Sequence, residues 1–116
     1  MSLPPAPDML AVIREFLETA ILPGLKDDKW FNVKIATNML ATVERELRLG
    51  AAADAAEAER LTALTGTAGS LEELNRLLAL RIRDGSADID DPALLDHLRR
   101  SVADALRINN PQWLTR

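Results

Sequence analysis

A Ser-His-Asp relay, a histidine zinc site or an imidazole base would each have to use the same residue, because His97 is the only histidine and cysteine is absent. His97 lies in DHLRR, beside Asp96. Adjacent residues on a helix point about 100° apart, so Asp96 does not face the imidazole. Arg100 and Asp104 fall at helical separations and give a surface or boundary histidine among ion pairs. A zinc site needs more His or Cys ligands than the chain has, and a di-iron bundle needs paired Glu-x-x-His motifs. No metal or cofactor is expected.

Other chemistries meet similar limits. The run DGSADIDDPALLD gathers Asp84, Asp88, Asp90 and Asp91 as oxygen donors. A calcium loop also needs a glycine at its sixth position and a glutamate at its twelfth, and neither spacing is met. Gly66 and Gly69 follow no strand and precede no Lys-Ser or Lys-Thr pair, and Gly-x-Ser-x-Gly is missing. Glu44/Glu46 and Glu57/Glu59 are two residues apart and diverge on a helix. No catalytic residue is assigned, and enzyme activity is not favoured.

Binding chemistry has two candidate settings. Lys34, Asn38, Ala41 and Arg45 share one side of a long helical segment and, with Arg81 and Arg83, offer an anion pocket between helices. Asn38, Arg81 and Arg83 are therefore the candidate ligand-binding residues. The competing view is a solvated face with Glu44 and Glu46 as charge partners, in which Asn38 makes an interhelical hydrogen bond. The second setting is aromatic: Trp30 and Trp113 are the candidate partner-binding side chains, Trp113 being able to fold back as an apolar anchor or serve as an interface hot spot.

Five segments with helical period must position these residues. The first carries Leu10, Ile13, Leu17 and Ala20, capped by Asp8 and ended by Pro23-Gly24. The second, DDKWFNVKIATNMLATVERELRLG, has a stripe of Val33, Ala36, Leu40, Val43 and Leu47 beside a row of Phe31, Ile35 and Met39, with Gly50 as its C-terminal cap. Such a broad apolar face predicts a central helix touching several others. An alanine-rich segment, AAADAAEAERLTALTG, follows. Ser70-Leu71-Glu72-Glu73 reads as a capping box for a fourth segment with Leu71, Leu74, Leu77 and Leu78 inward. Asp90-Asp91-Pro92 starts the last, an aspartate capping and the proline in the first turn, with Leu94, Leu95, Leu98, Val102, Ala105 and Leu106 inward. Short connections predict an all-α protein, an up-and-down bundle of four or five antiparallel helices with aromatic rings joining an aliphatic core.

The chain ends in RINNPQWL. Asn109 suits a left-handed helix end and Pro111 disfavours helical geometry at Asn110, so the stretch is a structural stop that leaves Trp113 to be placed.

With 116 residues, one domain spanning 1–116 is expected, residues 1–7 forming a disordered start. The formal net charge is −4, and neither half is basic, with seven Lys/Arg against ten Asp/Glu in 1–70 and seven against eight in 71–116. Nucleic acid and anionic membrane are thus not expected partners. The absence of cysteine, of a signal-peptide pattern and of a long apolar run points to a soluble, cytoplasmic protein.

The order of AVIREFLETAILPGL, KIATNMLATVERELRLG, LNRLLALRIRDG and DDPALLDHLRRSVADALRINNPQW resembles a bacterial family, domain of unknown function 6285, from about Met9 to Trp113. The resemblance implies an accessory role near aminoglycoside-phosphotransferase-like kinases and acyl-CoA dehydrogenases, beside which such proteins are encoded, and supplies no active site. The sequence thus favours an interaction module, binding a partner protein or itself, over a small-molecule binder or enzyme with an interhelical pocket.

Overall fold

The computed structural model describes residues 3–115. The disordered start expected at 1–7 lies partly outside the described residues, and the first helix begins at Ala6. Four α-helices and no strand are found among the described residues: α1 Ala6–Phe16, α2 Asp27–Thr65, α3 Leu71–Asp84 and α4 Pro92–Asn109. A π-helical turn, Leu17–Ile21, and a 3-10 turn, Leu22–Gly24, carry α1 to its break, and a second 3-10 turn, Pro111–Thr115, follows α4.

Asp8 does not cap α1. Pro5 holds the cap position without a side-chain bond, and Asp8 sits in the first turn, suited to the positive helix end, with its carboxylate 2.9 Å from Arg48 of α2.

The second and third expected segments are a single helix. Gly50 does not cap it, because a glycine cap needs a left-handed residue and only Gly66 and Gly85 take positive φ among the glycines, at 68° and 81°. With no proline in the way and alanine on the far side, propagating the helix costs only the glycine penalty, about 1 kcal/mol. The resulting α2 has 39 residues and ends at Gly66. The nearest atoms a Cβ at position 50 would meet belong to the flexible Glu46 side chain, its carboxylate at 2.7 Å. Gly50→Ala is therefore expected to raise stability by about 0.5–1 kcal/mol in urea titration, and a lowered midpoint would contradict this account of the helix.

Both local start signals act as expected, with one bond differing at the first. The Ser70 hydroxyl accepts the Glu73 amide at 3.1 Å and donates to the Glu73 carboxylate at 3.0 Å, so the glutamate bonds the hydroxyl where a full capping box would have it reach back to the Ser70 amide. Asp91 accepts the Ala93 amide at 3.0 Å, with Pro92 opening α4. In the acidic loop, Asp84 accepts the Ser86 amide and Asp88 the Asp90 amide, which are turn-forming roles.

α1, α3 and α4 each pack on α2, and their backbones do not pair with one another. Ascending residues of α4 meet descending residues of α2, with His97 at Arg60 and Ile108 at Arg45, and α1 runs likewise through Asp8–Arg48 and Arg14–Glu44. α3 meets α2 through Asn75 to Glu57 and Arg81 to the Thr65 carbonyl. The expected bundle of helices is thus built around one long axis, α2, on which the other three pack.

The sealed core is small. Leu61, Leu74, Leu78 and Leu94 form it, flanked by Leu64, Leu71, Ile82 and Ala87. The aromatic rings expected there are elsewhere: Phe16, Trp30, Phe31 and Trp113 are all exposed. α4 is also turned from the expected face. Leu94, His97 and Ile108 are buried, while Leu95, Leu98 and Val102 are exposed. The Cα radius of gyration is 19.1 Å, against about 13 Å for a compact chain of this length.

Candidate functional site

The three candidate ligand residues do not converge. Asn38 is exposed on the first half of α2, whereas Arg81 donates to the Thr65 carbonyl at 2.9 Å at that helix's far end. About 40 Å of helix separates these points. Arg83 is exposed in the last turn of α3, where a cation suits the carbonyl end.

Each of the first two residues borders its own cleft. Arg81 shares a 190 Å³ cleft with Ser86, Asp88 and Asp91 over Leu78 and Leu94. Asn38 lines a 360 Å³ cleft with Thr42, Arg45, Asn109, Asn110 and Gln112. Arg45 joins the walls of the second: its Nε donates to the Ile108 carbonyl at 2.7 Å and its Nη2 to the Thr42 hydroxyl at 3.2 Å. A cation on the last carbonyls of α4 does the work expected of a left-handed asparagine. Asn109 remains in α4, and Asn110, the cap, has φ −159° and is not left-handed. RINNPQWL is thus a helix end tied to α2.

His97 is buried at 2% exposure, not at a boundary. Its Nδ1 accepts from Arg60 Nε at 3.0 Å, and Arg60 Nη2 donates to Ser101 at 3.2 Å. Arg100 pairs with Asp96 and Asp104 with Arg107, so neither forms the expected ion pair with the imidazole. Sequence spacing within α4 could not find this pairing, because Arg60 comes from α2. Burial, then the Arg60 charge, lowers the His97 pKa below its ordinary 6.5, against the weaker pulls of Glu57 and Asp96. The folded chain holds a neutral imidazole while the unfolded chain takes a proton near 6.5, so stability is lost as pH falls from there toward the lower folded-state value. The urea midpoint should drop between about pH 7.5 and pH 5.5, and His97→Gln should flatten that slope. An equal slope in both proteins would contradict the assignment.

The feature that sets the molecule apart is its exposed apolar surface. Along α2, Phe31, Ile35, Met39, Val43 and Leu47 recur every fourth residue, and all are exposed, Phe31 at 60% and Met39 at 63%. On the other side of the same helix, Thr37 and Glu44 are buried. Arg14 of α1 pairs with Glu44 there through its Nε and, at 3.1 Å, its Nη2. Thr37 resolves its own burial by donating to the Lys34 carbonyl at 2.8 Å. α1 repeats the inversion, with Met9, Val12, Ile13 and Phe16 exposed while Arg14 and Glu18 are half-buried. Trp30 is exposed at the start of the α2 row. At the other end of the chain, Trp113 is 54% exposed on the last turn, and the next residue, Leu114, lines an apolar groove with Leu98, Val102 and Leu106.

A family model described as Domain of unknown function (DUF6285) matches residues 23–113. The chain belongs to that family. The DUF6285 match takes in α2, α3 and α4 whole and leaves α1 before it. No curated protein and no solved structure matches the chain. Among the described residues of this DUF6285 protein, no helix is long and apolar enough to cross a membrane, and no group of His, Cys, Asp and Glu is arranged to hold a metal ion.

Proposed function

We propose that this DUF6285 protein is a small helical interaction protein that works by docking its α1–α2 apolar surface on protein. The observation that carries this reading is the inverted burial of α2, with Glu44 and Thr37 inside and Phe31, Ile35, Met39, Val43 and Leu47 outside. A row of large apolar side chains left in water forgoes the burial energy that makes such residues useful, about 25 cal/mol per Å². A contiguous apolar patch of that kind marks an interaction surface, and its exposed aromatics, Trp30 among them, are of the type that dominates interface energetics.

The accessory role implied by the family resemblance gives the heterologous partner class: an aminoglycoside-phosphotransferase-like kinase or an acyl-CoA dehydrogenase. Trp113 and the groove on α4 offer a second contact for it. The reading is tested by size exclusion with light scattering on the chain alone and mixed with each enzyme. A mass above one chain supports it, and 12.7 kDa in every sample at concentrations well above micromolar overturns it. Trp113→Ala adds a finer result, loss of the enzyme complex with the helical circular dichroism retained.

The cleft at Asn38 favours a second reading, binding of a small anionic ligand against Arg45 and the amides of Asn109, Asn110 and Gln112. A panel of small anions that raises the melting temperature of the wild type but not of Asn38→Leu supports this reading. No shift with any member removes it.

A further inference from the structure

We infer that the occupant of the α1–α2 surface is a second copy of this chain, paired across a two-fold axis at Met39 so that two α1–α2 hairpins close into one four-helix core. The inference rests on the docking reading above and names its partner.

Surface area sets the scale of what must be covered. The chain exposes 8383 Å², whereas a compact monomer of its 12.7 kDa exposes about 6,200 Å². The excess, roughly 2,200 Å² per chain, exceeds the about 800 Å² per partner of a standard interface and lies in the range of obligate dimers. Such interfaces resemble a domain core cut in half, which fits a chain that buries six large apolar side chains among the described residues, Leu22, Leu61, Leu74, Leu78, Leu94 and Ile108.

The composition of the row selects the symmetry. Reading outward from Met39, the row has a β-branched residue on each side, Ile35 and Val43, and then a large one, Phe31 and Leu47. A two-fold axis at Met39 places Ile35 opposite Val43 of the second copy, which is the self-complementarity an isologous interface requires. Residues every fourth position form a ridge that packs between the same ridges of another helix, the commonest helix–helix class. Phe31 and Leu47 lie about 80° to either side of Met39 around α2 and flank this central contact, Leu47 toward the C-terminal end. The ion pairs Asp8–Arg48 and Arg14–Glu44 hold α1, with its exposed Met9, Val12 and Phe16, alongside that end. The polar pairs lie between α1 and α2 of each hairpin, leaving the apolar sides of both helices for the shared core. Met39 at the axis is unbranched and adapts to its symmetry mate.

The chain has no cysteine, so single-cysteine variants report pairing without background. The wild type is expected to run at twice 12.7 kDa in light scattering at micromolar concentrations. Under mild oxidation, Met39→Cys should form a disulfide dimer, and a mixture of Ile35→Cys and Val43→Cys should cross-link faster than either alone. Met39→Glu should weaken association on the order of 100-fold or more while keeping its helical circular dichroism, since the side chain is exposed in the single chain. A single-chain mass overturns the inference, and if that monomer still co-elutes with a kinase-like or dehydrogenase partner, the docking reading survives alone. A dimer that cross-links through Val102→Cys but not Met39→Cys also overturns it, because self-association would then use α4.

Discussion

Leu61→Ala is expected to destabilise the chain by about 3 kcal/mol. Leu61 is 0% exposed and meets Leu74 and Leu78 of α3 and Leu94 of α4. It is the one fully buried α2 residue of that cluster, with Leu64 packed partly buried beside it, so truncation removes the main side chain on which both later helices converge. Leucine-to-alanine changes at such sites cost about 2–5 kcal/mol, the larger values arising where surroundings cannot collapse. Helix α2 is continuous through this point and cannot move inward without shifting its contacts at both ends. Against a total stability of about 5–15 kcal/mol, the loss is a large fraction. Amide exchange should speed up in α3 and α4 more than in α1, whose ion pairs reach α2 at Glu44 and Arg48, three turns or more before Leu61. A urea-measured loss below about 1 kcal/mol would contradict the core assignment.

The second large effect concerns Arg14 and Glu44. Glu44 is 6% exposed, and Arg14 gives it two hydrogen bonds from α1. That bonding lowers the Glu44 pKa below its ordinary 4.5 and raises that of Arg14, with Arg48 and Arg45 adding attraction at the carboxylate. Removing one partner of a buried pair is costly because the other charge stays buried. Arg14→Ala should therefore cost about 2 kcal/mol, below the full buried-pair penalty because the Arg14 side chain is 29% exposed. Replacing both residues by leucine should cost far less than the single change, since no buried charge remains. The folded pKa of Glu44 is depressed, so its contribution is present above the unfolded value and lost as pH falls through the folded one. The wild type should thus lose more stability below about pH 4.5 than the double leucine variant does. Equal costs for the single and double changes would contradict the pairing.

What could be read from the sequence was what depends on neighbours in the chain. Ser70 with Glu73 and Asp91 with Pro92 mark helix starts because those bonds span three residues or fewer, and both starts are where they were expected. Gly50 misled because a glycine can end a helix or sit inside one, and the alanines after it tip that balance. The α4 face misled for a different reason. Periodicity shows that Leu95, Leu98 and Val102 are on one side, but whether another helix covers that side is not encoded at that range. The same holds for Phe31, Ile35 and Met39, read as lying beneath a neighbouring helix and found exposed. Arg60 at His97 and Arg45 at Ile108 come from contacts between distant segments, which a periodic pattern cannot pair. Asn38 and Arg81 looked like neighbours only while two helices were expected where one long helix runs.

The central claim is that the α2 row is covered in solution. The rate of Met39 oxidation by dilute peroxide, followed by peptide mass, reads that cover directly, since the thioether reacts according to its exposure. The single chain leaves Met39 63% exposed. The predicted result is a slow reaction at high chain concentration that speeds up on dilution, and a fast one at all concentrations in Ile35→Lys. A Met39 that reacts in the wild type as fast as in urea-unfolded chain, at every concentration and with either enzyme present, would contradict the claim.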